Sequence, residues 1–202
     1  MPAREVFPAL TGALEDEEKS VRYSTVYALG QIGKPATVLL ISALQNKDDE
    51  MRRSAAQAFS RVESISKSAI PILAGALKDR DDEVRLFAAK TLARCGPKAT
   101  IAISALVKAL KDQDGAVRGV SADALSRIGG PAIPALISCL KDADSEVRYW
   151  ATAALGWVGP EANTAIPVLI GVLQDKEEDV RRAAERSLKK IDPQAAKKAG
   201  VP

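Results

Sequence analysis

The stretch IPILAGALKDRDDEVRLFAAKTLARCG, residues 70–96, decides the fold. Its first part, IPILAGAL (70–77), is an apolar run with Pro71 in the first turn, where helix amides have no intrahelical partner and proline costs least. An acidic loop follows. The second part, EVRLFAAKTLARCG (83–96), opens on acidic residues that complement a helix dipole and stops at Gly96, a residue suited to a left-handed cap. The stretch therefore predicts a short helix, a tight loop and a longer helix.

Working outward, the dipeptide Val84-Arg85 recurs as Val21-Arg22, Met51-Arg52, Val117-Arg118, Val147-Arg148 and Val180-Arg181, at intervals of 30 or 33 residues. A fixed period of this length marks a repeat array. IPALISCL (133–140) and IPVLIGVL (166–173) repeat the first helix, and LKDADSEVR (140–148) repeats the loop. The three-residue differences fall between a Gly-Pro break and the next Ile-Pro start, where a loop absorbs them. Six repeats result, at about 5–36, 37–68, 69–101, 102–132, 133–165 and 166–192, with a tail at 193–202, read as a single domain over 1–202. Gly33, Gly129 and Gly159 match Gly96, whereas Glu63 and Asp192 stand there in repeats two and six and predict less regular ends.

Two columns of the second helix read as core: Leu29, Phe59, Leu92, Leu125, Leu155, Leu188, and Ile32, Val62, Cys95, Ile128, Val158, Ile191. Small residues at Ala28, Ala58, Thr91, Ala124, Ala154 and Ser187 let neighbouring helices approach closely. One hairpin cannot bury such a face, so stability comes from stacking.

Composition narrows the function. The 202 residues carry 29 Lys plus Arg against 26 Asp plus Glu, a net charge of +3 that announces no nucleic-acid binder. Histidine is absent, which removes the commonest general base and metal ligand together. No catalytic residue, metal site or cofactor is read from the sequence. Cys95 and Cys139 fall at packed positions and read as reduced thiols. No apolar run approaches the ~20 residues that span a bilayer, and no export signal is seen, so no membrane partner and a cytoplasmic location are expected.

The phrase AIPxLxxALKDxDxEVRxxAAxALxxIGP, distilled from these copies, resembles the short HEAT-like repeats of the bilin-lyase type over nearly all of residues 6–192. The resemblance implies an all-α, right-handed α-solenoid of six HEAT-like helical hairpins whose second helices line the concave face. It also implies that the loop residues Asp16, Asn46, Asp79, Asp112, Asp142 and Asp175 form a ladder with the repeated arginines, joining adjacent repeats.

Residues that vary at one repeat position are free to serve a partner. Four columns of the second helix vary and share one face at helical spacing. They hold six of the eight aromatic residues, Tyr23, Tyr27, Phe87, Tyr149, Trp150 and Trp157. They also hold Arg53, Arg61, Lys90, Arg94, Arg127, Arg182, Arg186 and Lys190 against the single carboxylate of Asp123. Trp157 stands where the other repeats place Gln, Arg or Lys, which predicts exposure. Acidic residues at the helix starts, such as Glu146, Glu178 and Asp179, read as helix-capping charges. Gly119, between Leu86 and Tyr149 in its column, predicts a recess centred on Gly119 and Val120, walled by Tyr149, Trp150 and Trp157 on one side and Phe87, Lys90 and Arg94 on the other and rimmed by Arg94 and Arg127; the alternative is that Trp150 folds over Gly119 and fills the gap.

These features point to a non-catalytic protein-interaction scaffold whose partner is an acidic or amphipathic protein segment. Arginine interleaved with aromatics also suits nucleic acid, a reading that the near-neutral charge disfavours. The resemblance leaves a bilin lyase subunit or bilin-binding chaperone as a third reading, with no catalytic motif to carry over. The apolar residues Val6, Phe7, Leu10 and Leu14 of the first helix predict an edge that packs on another molecule, a second copy included, or that continues into a longer solenoid.

Overall fold

A computed structural model describes residues 3–201, with side chains from Val6 onward. The described residues form thirteen α-helices and no strand. The first helices of the hairpins are α1 (Ala3–Leu14), α3 (Thr37–Leu44), α5 (Ala69–Ala76), α7 (Ile103–Ala109), α9 (Ile133–Cys139) and α11 (Ile166–Val172). The second helices are α2 (Lys19–Ile32), α4 (Asp49–Arg61), α6 (Asp82–Cys95), α8 (Gly115–Ile128), α10 (Ser145–Val158) and α12 (Glu178–Ile191). The tail adds α13 (Pro193–Lys198). Packing falls into two compact units, one ending at Thr91 and one starting at Leu92.

In the first unit α1 packs on α2 and α3 on α4, while α2 and α4 lie side by side. In the second, α7 packs on α8, α9 on α10 and α11 on α12, with α8, α10 and α12 in series. The leucine column is the core: Leu29, Leu92, Leu125, Leu155 and Leu188 are fully buried and Phe59 nearly so. Each such side chain contributes about 1.5–3 kcal/mol when removed from water. The second core column is less uniform. Val62, Ile128 and Ile191 are buried, Cys95 and Val158 are half-buried, and Ile32 is 40% exposed.

The loops are built alike in all six repeats. Asp16, Asn46, Asp79, Asp112, Asp142 and Asp175 each accept the backbone N–H two residues ahead at 2.8–3.0 Å. This turn is the reason for a short polar side chain there. Arg22, Arg52, Arg85, Arg118, Arg148 and Arg181 each donate through Nη1 to two carbonyls of their own loop, at 2.6–3.2 Å. The repeated arginine is therefore first a loop clamp.

Arg52 and Arg148 also make full rungs to the next repeat. Arg52 forks onto Asp79 at 2.8 and 3.0 Å, and Arg148 onto Asp175 at 2.7 and 2.8 Å. The expected ladder departs at Asn46 and at Asp142. Asn46 carries no charge, so Arg22 reaches Asp48 at 3.5 Å instead. Lys111 occupies Asp142 at 2.9 Å, and Arg118 turns to Glu146 at 3.0 Å. The Arg148 guanidinium holds the Asp175 carboxyl below the usual carboxylate range. A native carboxyl depressed in this way stabilises the fold fully above the ordinary carboxylate pKa of about 3.9 and loses that contribution as pH falls through its native value. The melting temperature is expected to be insensitive to this pair between pH 7 and about pH 5 and to drop below about pH 4. An Asp175→Asn variant should show a shallower drop, measured by circular dichroism across the pH series.

The glycine ends differ from the expected left-handed cap. Gly33, Gly129 and Gly159 have φ of 76°, 75° and 77° but ψ of −134°, −140° and −145°. That extended conformation with positive φ is essentially restricted to glycine. It swings the chain into a 3-10 turn, Lys34–Ala36, Gly130–Ala132 or Gly159–Ala165, that leads into the next first helix. In repeats two and six Val62 and Asp192 end the helix in extended conformation. Asp192 then caps α13, accepting from the N–H groups of Gln194 and Ala195. The tail is thus helical, its Ala196 buried and its α13 packed on α12. Asp192-Pro193 is a capping residue followed by proline, a start signal already present in the sequence. Pro202 lies outside the described residues.

Candidate functional site

In the first unit, Tyr23 and Tyr27 stand one turn apart on α2. Tyr27 is 59% exposed, while Tyr23 is half-buried and donates its hydroxyl to the Glu50 carboxylate at the start of α4. That hydrogen bond, with burial adding to it, pushes the Tyr23 phenol up to about 12 and keeps it neutral. Between α2 and α4 lies a hollow of about 190 Å³ walled by Tyr23, Tyr27 and Gln31 on one side and Ser54, Gln57 and Arg61 on the other. Its floor is the close approach of Gly30 to Ala58, where a Cβ on the glycine would meet the alanine Cβ at 3.0 Å.

The second unit repeats this arrangement. Between α10 and α12, Tyr149, Ala153 and Trp157 face Ala183, Arg186 and Lys190 across another hollow of about 190 Å³. Ser187 lines the hollow and is approached by Gly156, where an added Cβ would lie 2.9 Å from the serine Cα. Tyr149 occupies the repeat position of Tyr23, Trp157 that of Gln31, Gly156 that of Gly30 and Lys190 that of Arg61. Repeats one–two and five–six thus make one kind of hollow, each with aromatic walls and a cation at the far end. The shared glycine column was the available signal, and aligning only the large variable residues passes over it.

Trp157 is 45% exposed, as its column predicted. Its ring lies 6.3 Å from that of Trp150, which meets Tyr149 edge to face at 5.0 Å. Trp150 overturns the expected recess. Its indole lies over Gly119, 3.1 Å from where a Cβ would stand, and its Nε1 donates to Glu146 at 3.2 Å. Glycine at 119 makes room for the neighbouring tryptophan and leaves no hollow. Glu146, an acidic residue in the first turn of α10, also ties Trp150 and Arg118 together across α8 and α10.

The predicted cations divide into two groups. Arg53 is tied to Asp81 and, at 2.9 Å, to Glu83, so it joins repeats rather than facing a partner. Arg127 pairs with Asp123 one turn back on α8 at 2.8 Å, and Arg182 pairs with Glu178 on α12. Lys90 lies 5.2 Å over the half-buried ring of Phe87. Arg94 is exposed in the last turn of α6. Arg61, Arg186 and Lys190 are exposed and make no ion pair among the described residues. At the first hairpin an open hollow exposes apolar surface around Leu10, Val21 and Ala28, with Val21 38% exposed.

The chemistry of the chain is quiet. Burial pushes the Cys95 and Cys139 thiols up, which disfavours the nucleophilic thiolate. Among the described residues, no three His, Cys, Asp or Glu converge on a metal position, and no helix is long and apolar enough to cross a membrane.

Helical hairpins repeated at a fixed period, with variable residues gathered on the second helices, define an α-solenoid repeat protein. The chain belongs to the family described as HEAT repeats, which matches residues 1–61, 37–125, 70–156 and 103–189. No curated protein matches the sequence. Among solved structures it is similar to the complex of CpcE and CpcF of phycocyanin lyase from Nostoc sp. PCC7120, with 26% identity, a TM-score of 0.56, and 94% of this chain and 78% of that one covered. It is similar to an archaeal HEAT-like repeats protein from Thermococcus onnurineus NA1, with 15% identity, a TM-score of 0.61, and 91% and 79% covered. A designed armadillo repeat protein in complex with the peptide (KR)4 shares the fold at 21% identity and a TM-score of 0.57, with 92% and 99% covered.

Proposed function

We propose that the chain is a non-catalytic protein-interaction scaffold that holds an acidic or amphipathic protein segment on the second-helix face. The observation that carries this reading is the hollow found twice in the same repeat register, each pairing exposed aromatic surface with a cation that makes no ion pair: Tyr27 with Arg61, and Trp157 with Arg186 and Lys190. Tyrosine, tryptophan and arginine dominate interface energetics because they bury large area and still offer a polar or charged end. The armadillo complex holds a peptide, and CpcE is seen with a partner subunit, which supports a protein ligand for this fold.

Trp157→Ala is expected to weaken binding of a peptide carrying a carboxylate beside an aromatic residue by at least about tenfold while the helical circular dichroism stays unchanged. Full affinity in that variant would refute the reading. A steep loss of affinity for single-stranded nucleic acid with rising salt, with no binding of the peptide, would instead favour phosphate contacts.

A further inference from the structure

A second hollow, of about 490 Å³, adjoins the α10–α12 hollow and shares Tyr149 and Arg186 with it. It lies at the helix starts, and its wall carries Glu146, Glu177 and Asp179 together with Arg182 and the shared Arg186; Glu146 is paired with Arg118 and Arg182 with Glu178. Glu177 occupies the repeat position of Asp48, Asp114 and Asp144, which accept helix N–H groups, yet its own side chain caps nothing. Glu177 and Asp179 are exposed and make no ion pair among the described residues. At the other end, Arg186 and Lys190 face Tyr149 and Trp157 with no carboxylate in the hollow. Among the described residues, the charges that make no ion pair along this α10–α12 groove therefore run from Glu177 and Asp179 to Arg186 and Lys190, with aromatic surface between.

We infer that this groove takes a charge-polarised extended segment of a partner protein: a cationic side chain over Glu177 and Asp179, an apolar or aromatic one against Tyr149 and Trp157, and a carboxylate at Arg186 and Lys190. The groove follows α10 from Ser145 to Trp157, roughly 18 Å at 1.5 Å per residue. An extended chain covers that length with about five residues. Opposite charges at the two ends reward a bipolar segment, whereas a uniformly acidic or basic one meets like charge at one end. The inference rests on the scaffold reading and adds the charge pattern of the segment.

Trp150 and Trp157 are the only tryptophans in the chain, so intrinsic fluorescence reports on this groove. The test titrates the full chain at low salt with three end-blocked peptides: Lys-Ser-Phe-Ser-Glu, Glu-Ser-Phe-Ser-Glu and Lys-Ser-Phe-Ser-Lys. The bipolar peptide is expected to bind at least about fivefold tighter than either other, because like-charge contact is removed at both ends. In the Glu177→Lys/Asp179→Lys variant the preference should move to the uniformly acidic peptide. Equal or tighter binding of the acidic peptide to the wild-type chain overturns the inference and leaves the scaffold reading standing. Binding by none of the three overturns both. An unmoved preference in the double variant also overturns the inference.

Discussion

Replacing Arg148 with methionine is expected to lower the unfolding free energy by about 3–5 kcal/mol, because it removes one partner of a buried ion pair and leaves the other uncompensated. The side chains of Arg148 and Asp175 are 8% and 10% exposed and share a forked pair of hydrogen bonds. The same guanidinium also satisfies the carbonyls of Asp142 and Ala143, so the variant leaves three groups to find water. Arg181 supplies the contrast. It clamps the carbonyls of Asp175 and Lys176 in the same way and makes no ion pair among the described residues. Arg181→Met is therefore expected to cost only about 1–2 kcal/mol, the scale of the loop hydrogen bonds alone. Denaturant unfolding of both variants measures the difference, and equal losses would place the whole effect in the loop. The double variant Arg148→Met/Asp175→Asn should recover part of the loss, since it removes the uncompensated buried carboxylate while the amide oxygen can still accept the Glu177 N–H, as Asn46 does for Asp48.

Gly156→Ala is expected to destabilise by about 1–3 kcal/mol through overpacking, against the usual gain from exchanging a helical glycine for alanine. The added methyl would meet the Cβ and Cα of Ser187 at 2.8 and 2.9 Å, and the Cα belongs to the backbone of α12. Relief requires α10 and α12 to separate, which also reshapes the hollow between them. Gly171 is the control: nothing stands within 4 Å of its Cβ position in α11, so Gly171→Ala should stabilise by about 0.5–1 kcal/mol. Thermal unfolding should move in opposite directions for the two substitutions. A shift of the same sign in both would mean that the α10–α12 spacing yields at little cost.

The repeat period, the two-helix reading of IPILAGALKDRDDEVRLFAAKTLARCG and the burial of the leucine column were determined by sequence alone. Each rests on spacing along one helix, and a period of 3.6 residues translates directly into a face. The exposure of Trp157 was legible for the same reason, since its column is otherwise polar. What only the tertiary structure decided lies between helices. Gly119 read as a gap on its own helix, and only the packing of α10 on α8 shows Trp150 laid across it. Arg53 and Arg182 read as free cations, yet Arg53 meets Asp81 and Glu83 from the next repeat and Arg182 meets Glu178 one turn back, because guanidinium groups reach carboxylates that column-by-column comparison assigns to other roles. The two equivalent hollows were only half legible for a related reason: the sequence shows glycine at one repeat position, 30 and 156, but not what faces it. A glycine at 30 or 156 is silent along its own helix, and its effect appears only when the facing Ala58 or Ser187 comes close enough to set the distance between two helices, and with it the width of the surface above them.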